Sequence, residues 1–247
     1  MLKCTQNITA GRAPRFGEVS SMHSNGIREK QASTKQQILR AARKLFAQHG
    51  YEATTTRMIA EKVGVSQSAI SFHFETKENL CKAAVEYTAR NIGAALQPAY
   101  DAVDAAFEKG PVSPERAMEL IAELLLRQIR LVFDPRSKCA VSLALKDRAL
   151  PKIAQGILPE VLFDRVESEL ARLILAYSVS SNRVWAEVVS RAANGAIFSF
   201  FLNPSLPREA RAPCGDSPSG MLEEYLLDYL LTAIQNCASP AERTPAE

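Results

Sequence analysis

The chain has 247 residues, of which 47% are hydrophobic and 23% are charged, a balance typical of a globular protein with a substantial core. It lacks both an apolar run of roughly 18 residues and an N-terminal apolar stretch, so we expect neither a membrane span nor a secretory signal. Its net charge of +3 is divided unevenly: residues 1–80 hold 12 Lys/Arg and 6 Asp/Glu, whereas residues 81–247 hold 18 and 21. The modest basic excess of the N-terminal third favours a polyanionic partner.

The cysteines are widely spaced and form no C-x-x-C pair, so neither a disulfide framework nor a zinc site is indicated. They are Cys4, Cys81, Cys139, Cys214 and Cys237. We expect reduced thiols in a cytoplasmic protein. A redox switch is the alternative, and it would require an exposed thiol of low pKa.

Residues 1–32 have no hydrophobic periodicity and are predicted to form a flexible N-terminal arm. Translation could begin at Met1 or at Met22, which lies inside this arm. The pattern changes at Ser33, where the sequence Ser-x-x-Gln has the form of a capping box. The predicted first helix ends at Gly50. Its apolar face consists of Ile38, Leu39, Ala42, Leu45 and Phe46.

Two short helices and one long helix are predicted next. Gly64 ends the second helix, and the third buries Ile70 and Phe74, which lie four residues apart. The fourth helix is expected to run to about Gln97. The predicted N-caps are Thr55 or Thr56 for the second helix, Ser66 for the third and Thr76 for the fourth.

The apolar spacing stays helical in the rest of the chain, and strand signals are weak. The fold is therefore predicted to be all-α, with an N-terminal three-helix domain and a larger C-terminal helical domain. A Pro-rich loop is expected at residues 203–220. The predicted segments are an arm at 1–32, a DNA-binding domain at 33–80, a ligand-binding and dimerisation domain at 81–237 and a disordered tail at 238–247.

Two short helices joined by a Gly-containing turn and packed on a longer one are typical of a helix-turn-helix. In that motif the second helix enters the major groove of DNA. The third helix of this chain presents polar or small side chains on its outer face, namely Gln67, Ser68, Ala69, Ser71 and His73. Gln binds adenine through two hydrogen bonds, and Ala contacts a thymine methyl. The alternative is a pair of surface helices in an ordinary helical domain.

Residues 33–80 strongly resemble the TetR family of bacterial transcriptional regulators. The resemblance rests on Phe46, Gly50–Tyr51, Thr55–Thr56, Ile59–Ala60, Val63–Ser66, Phe72–Phe74 and Lys77–Leu80. Family members commonly have Tyr where this chain has Ser71, and the shorter Ser weakens or rearranges the contact made there.

The resemblance implies double-stranded operator DNA as a partner and a set of DNA-contacting residues. These are Thr56, Arg57, Gln67, Ser68, Ala69, Ser71, His73 and Lys77. Thr56 and Arg57 begin the second helix and would meet phosphate, as would Lys77 at the start of the fourth helix. His73 has an alternative interpretation as a ring packed at the domain seam. The fourth helix would act as a lever to the C-terminal domain.

The C-terminal domain matches the family in being helical, and two of its segments, beginning at Ile92 and Glu160, look like the CecR branch. The family implies a small-molecule effector in a pocket. Its candidate lining is Leu124, Gln128, Phe133, Phe163 and Tyr177, each of which could instead be plain core.

A homodimer is also expected, because a two-fold dimer matches a palindromic DNA site. The last two helices, at about 183–203 and 220–236, are its predicted interface; alternatively they close the core of a monomer. Small residues such as Ala192, Gly195 and Ala196 would allow close approach of a partner helix. Leu226, Leu230 and Ile234 are more apolar than a free surface tolerates.

No motif for catalysis, metal binding or cofactor binding is present, so the sequence favours a regulator over an enzyme. The expected function is a repressor that leaves its operator when a small hydrophobic molecule binds. One alternative is a DNA-binding architectural or cell-division factor that does not respond to a ligand. A second is a helical adaptor with a protein partner, which would show no salt-sensitive DNA binding.

Overall fold

The structure is a computed structural model that describes residues 16–178, 182–202 and 220–238. The described residues form helices and turns, which confirms the all-α prediction. A π-helical segment, Glu160–Asp164, joins α7 to α8. The helices are α1 (Phe16–Ala53), α2 (Thr56–Val63), α3 (Gln67–Phe74), α4 (Lys77–Glu108), α5 (Pro114–Phe133), α6 (Lys138–Leu145), α7 (Ile157–Pro159), α8 (Arg165–Ser178), α9 (Arg183–Leu202) and α10 (Gly220–Ala238).

Side-chain caps define the starts of the three helices that follow α1. The Thr55 hydroxyl accepts a hydrogen bond from Met58 N at 3.1 Å, so Thr55 rather than Thr56 is the N-cap of α2. Ser66 and Thr76 cap α3 and α4 in the same way. Gly64 ends α2 in the left-handed conformation, with φ of 77°, which a residue with a side chain rarely adopts.

The start of α1 corrects the prediction of an unstructured arm up to residue 32. The helix begins at Phe16 and runs through Ser33, so Ser33 is not an N-cap, because an N-cap has a non-helical backbone. An existing helix extends at low cost without needing an apolar face, which explains why periodicity missed this part. The helical conformation is interrupted at Gly50, with φ of 81° and ψ of 169°. Residues 1–15 of the predicted arm lie outside the described residues.

The helix α4 is longer than the sequence indicated. It continues through Pro98 to Glu108, which gives a length of about 48 Å at 1.5 Å per residue. Proline removes one backbone hydrogen bond from a helix interior. Buried side chains on both sides of Pro98, including Leu96, Ala99 and Tyr100, offset this loss through packing. The helix that is expected to act as a lever therefore reaches further into the C-terminal domain, to Glu108, than the sequence predicted.

The core is continuous between the two parts of the chain, because α4 packs against both α1 and α5. In the C-terminal part, α8 lies between α5 and α9, and α10 packs on α5. Leu226, Leu230 and Ile234 of α10 are buried in this core. These three side chains close the chain's own core and do not form a surface for a partner, contrary to the prediction from their apolarity.

Within the described ranges, no helix combines the length and the apolarity needed to cross a membrane. The helix α10 extends to Ala238, the first residue of the predicted tail. The rest of that tail, at 239–247, and residues 203–219 of the predicted Pro-rich loop lie outside the described residues.

Candidate DNA-binding surface

The pair α2 and α3 is held by apolar contacts on its inner side. Ile59 and Ala60 of α2, together with Ile70 and Phe74 of α3, are buried in the same core as Phe46 of α1. Each of these helices has only eight residues and would be marginal alone, so their stability comes from this packing. The arrangement leaves the outer face of α3 free.

A hydrogen bond joins the first turns of α2 and α3 on this outer face. Gln67 Nε2 donates to Thr56 Oγ1 at 3.2 Å, and the hydroxyls of Ser66 and Ser68 lie 2.8 Å apart. The Ser71 hydroxyl donates to the backbone oxygen of Gln67 at 3.3 Å, one turn earlier in α3. The structure therefore brings Thr56, Gln67, Ser68 and Ser71 together, whereas Ala69 is half-buried.

Arg57 lies at the edge of this face and is paired with an acidic neighbour one turn along α2. Its Nε donates to Glu61 Oε1 at 2.8 Å, and this hydrogen bond raises the pKa of Arg57. The Arg57 side chain is 79% exposed, and exposed ion pairs contribute little stability. The guanidinium can therefore exchange Glu61 for a phosphate at small cost.

Lys77 at the start of α4 is held against the end of α1. Its ammonium donates to the backbone oxygen of Glu52 at 3.3 Å and lies 4.1 Å from the centroid of the Tyr51 ring. Cation–π contact and the carbonyl both favour this position. An ammonium has three donors, so Lys77 keeps donors for a phosphate while it is positioned by α1.

His73 is half-buried in a groove between α1, α3 and α4. Lys35 and Lys82 line the same groove, and the imidazole lies 5.3 Å from the Phe72 ring. This position agrees with the alternative interpretation, in which His73 packs at the seam. A DNA contact from His73 stays a prediction.

Phe72 belongs to the aromatic cluster that carries the resemblance to TetR proteins, and the sequence predicts no contact with DNA for it. Its side chain is 76% exposed on α3, one turn after Ser68 and next to Ser71. A single exposed apolar ring is normal on a protein surface, so the place of Phe72 on the outer face of α3, and not its exposure alone, makes it a candidate for contact with DNA. Its sequence neighbours do not reveal this exposure, because Phe74, two residues later, is buried.

The residues proposed for an effector pocket are core or near-core side chains. Leu124 and Gln128 of α5 are fully buried, and Phe163 packs edge-on against Phe198 at 4.7 Å between ring centroids. Gln128 Nε2 donates to Asn194 Oδ1 at 2.6 Å, whereas its Oε1 has no partner among the described residues. Phe133 and Tyr177 are half-buried.

None of these five residues lines a groove of about 810 Å³ that is formed by described residues of the C-terminal domain. That groove lies between α4, α8 and α9. The helical pattern of the sequence could not predict the position of this groove, because the pattern shows which side chains point inward but not where space remains between helices.

The capped α2–α3 pair with an exposed outer face defines a protein of the helix-turn-helix class. Residues 38–84 match the family described as bacterial regulatory proteins, tetR family. This match lies in the N-terminal domain and confirms the resemblance to TetR proteins that the sequence predicted.

Two named relatives differ in how much of the chain they match. The HTH-type transcriptional repressor AcnR of Corynebacterium glutamicum is 48% identical over 52 residues, which are 21% of this chain and 28% of AcnR. The chain thus matches only about a quarter of that relative's length. The HTH-type transcriptional dual regulator CecR of Shigella flexneri is 28% identical over 186 residues, covering 73% of this chain and 81% of CecR. Both are named as regulators of transcription and not as enzymes.

A solved structure extends the similarity of fold to the C-terminal domain. AibR, in complex with isovaleryl coenzyme A and operator DNA, has a TM-score of 0.57 at 16% identity. The match covers 81% of this chain and 97% of the AibR chain. At this identity the likeness concerns the fold alone.

Proposed function

We propose that this protein regulates transcription by binding double-stranded operator DNA through α2 and α3. The observation that carries the proposal is the joined outer face, where Gln67 bonds to Thr56 across the two helices. Gln67 and Ser68 lie at the N-terminal end of α3, the end that meets base edges in a helix-turn-helix. Thr56, Arg57 and Lys77 flank them and supply groups that bind phosphate.

The protein is proposed to act as a homodimer in the cytoplasm, with an interface on α9 and α10. Among the residues that the structure describes, eight large apolar side chains are exposed, and five of them lie on these two helices. They are Val184, Val188, Leu202, Tyr225 and Tyr229. Such a concentration on neighbouring helices is typical of an interaction surface. Ala192 and Gly195, also exposed on α9, would allow close approach of a partner helix.

A small, largely apolar effector is proposed to lower the affinity of the dimer for operator DNA, which makes the protein a repressor. The candidate contact residues are Leu124, Gln128, Phe133, Phe163 and Tyr177. Support comes from the unpartnered Gln128 Oε1, because a buried acceptor without a donor costs about 1–3 kcal/mol. An apolar effector carrying one N–H or O–H group would satisfy this acceptor. Because α4 spans both domains, a tilt at its C-terminal end would displace α3.

Selection of DNA from a random pool, followed by release with compounds, tests this proposal. We expect an enriched palindrome, salt-sensitive binding and release by at least one hydrophobic compound. By linkage, such a compound binds the free protein about 5–150-fold more tightly than the DNA-bound protein. An enriched palindrome without any releasing compound would favour the non-inducible factor. Failure to enrich any DNA would favour the protein-binding adaptor.

A further inference from the structure

The end of α1 is contacted by donors from the C-terminal domain. The backbone oxygen of Ala47 accepts from Lys146 Nζ at 3.2 Å and from Ser142 Oγ at 3.5 Å. Ser142 lies in α6, and Lys146 immediately follows that helix. Carbonyls in the last turn before a helix break are poorly satisfied within the helix and attract donors. The break at Gly50 explains why α1 accepts hydrogen bonds here.

The same short segment of α1 also positions a proposed DNA contact. Lys77 is bound to the Glu52 backbone oxygen and to the Tyr51 ring, five and four residues beyond Ala47. Next to it lies a groove of about 650 Å³. Its lining includes Glu52 from the N-terminal domain and Arg148 from the turn that follows α6. Opposite charges on the two walls favour keeping the domains together, and salt screens this attraction.

We propose that Lys146 and Ser142 form a latch on the Ala47 carbonyl, through which α6 sets the orientation of the helix-turn-helix domain. The latch makes α6 a second lever beside α4, since α6 reaches α1 through its own hydrogen bonds. Lys146 is a positioning residue, since it acts through the α1 backbone and lies away from the outer face of α3. The consequence for DNA rests on the proposed function: in a two-fold dimer, the orientation of each domain fixes the half-site spacing that is read.

Hydrogen exchange of the free, full-length protein tests the latch itself. Lys146→Met keeps the aliphatic stem and removes the donor, whereas Lys146→Arg keeps a donor. We expect about tenfold faster exchange at residues 47–54 in Lys146→Met, because a charge-assisted hydrogen bond is lost. Lys146→Arg should stay close to the wild type. Lys138→Met, at the start of α6, is the matched control and should change nothing. Unchanged exchange in Lys146→Met would overturn the proposal.

DNA binding then tests the orientation. The probes are the operator enriched from the random pool and two versions with the half-sites moved one base pair closer or further apart. We expect the preference of Lys146→Met for the original spacing to fall about tenfold relative to the wild type, with an unchanged salt slope because no phosphate contact is lost. An unchanged preference would refute the orienting role. If the wild type enriches no DNA, the proposed function fails, and the exchange result alone decides whether the latch joins the domains.

Discussion

At the scale of single residues, Phe72 separates a role on DNA from a role in folding. Phe72→Ala should change the free energy of unfolding by no more than about 0.5 kcal/mol, since the ring is exposed. Affinity for the enriched operator should fall several-fold, because an apolar ring contacts sugar or a thymine methyl. Phe72→Tyr, which keeps an aromatic ring at the same exposed position, is the control. Equal operator affinity for Phe72→Ala and the wild type, in a binding titration, would show that the ring has no role on DNA.

Glu75 adopts a strained backbone conformation between α3 and α4. Its φ is 61°, and Thr76 N donates to Phe74 O across it at 2.6 Å, which forms a γ-turn of the rare positive-φ kind. Glu75→Gly should raise the free energy of unfolding by about 1 kcal/mol, because relief of strain exceeds the entropy cost of glycine. Glu75→Ala keeps the β-carbon and should bring no such gain. Denaturant titration measures the free energy of unfolding of both variants. Equal effects of the Gly and Ala substitutions would contradict the claim that the backbone at Glu75 is strained.

At the scale of elements, a buried phenol on α4 is contacted by the first residue of α8. Tyr100 Oη has no hydrogen-bond partner among the described residues, and the Arg165 guanidinium carbon lies 4.1 Å from the centroid of the Tyr100 ring. Burial raises the pKa of Tyr100 from 10.0 to about 12, a shift that Arg165 opposes and Glu169 increases. The unfolded chain therefore loses this proton first. The contribution of Tyr100 to the free energy of unfolding is therefore fully present below pH 10, and it decreases as the pH rises from 10 to about 12.

Tyr100→Phe should remove this part of the pH dependence. We expect a stability at pH 7 equal to or above that of the wild type, because an unpaired buried hydroxyl is removed. Between pH 10 and about 12 the variant should lose less stability, by up to about 1.4 kcal/mol per pH unit. Burial also raises the pKa of Cys81 to about 12, but Cys81 is present in both proteins and cancels in their difference. If the free energy of unfolding depends on pH in the same way in Tyr100→Phe and in the wild type, the raised pKa of Tyr100 is contradicted.

The sequence predicted those elements whose signals are local. The caps at Ser66 and Thr76 and the stop at Gly64 depend on residues within one turn of helix, and the structure confirms them. The predictions that α1 begins at Ser33 and that α4 ends near Gln97 were wrong. Helix extension carries α1 back to Phe16, and tertiary packing carries α4 through Pro98, so both outweigh the local signals.

The candidate site divides in the same way as the fold. Helical periodicity shows which side chains lie on the outer face of α3, so the residues proposed for base contact could be predicted from the sequence. The hold of Tyr51 on Lys77 and the hydrogen bonds to Ala47 join residues at least 26 positions apart through the folded chain, and no local pattern shows them.

At the scale of the whole molecule, the proposed dimer depends on the exposed side of α10. Tyr229 is 63% exposed, whereas Leu230 beside it is buried in the chain's own core. Tyr229→Arg should therefore convert the dimer into a folded monomer, because a charge would be buried in an apolar interface. Leu145→Arg on α6 is the control for a charge added to an exposed apolar site. Sedimentation measures the mass; a folded Tyr229→Arg dimer as tight as the wild type would place the interface elsewhere.

The central claim is that the N-terminal end of α3 reads DNA bases while neighbouring residues hold phosphates. Titrations of Gln67→Ala and Arg57→Ala on the enriched operator and on random DNA, at several salt concentrations, test it most directly. Gln67→Ala should lose roughly 1–3 kcal/mol on the operator and little on random DNA. Arg57→Ala should lose affinity equally on both and reduce the salt slope by about one. Equal losses on both DNAs for Gln67→Ala would contradict base reading by α3.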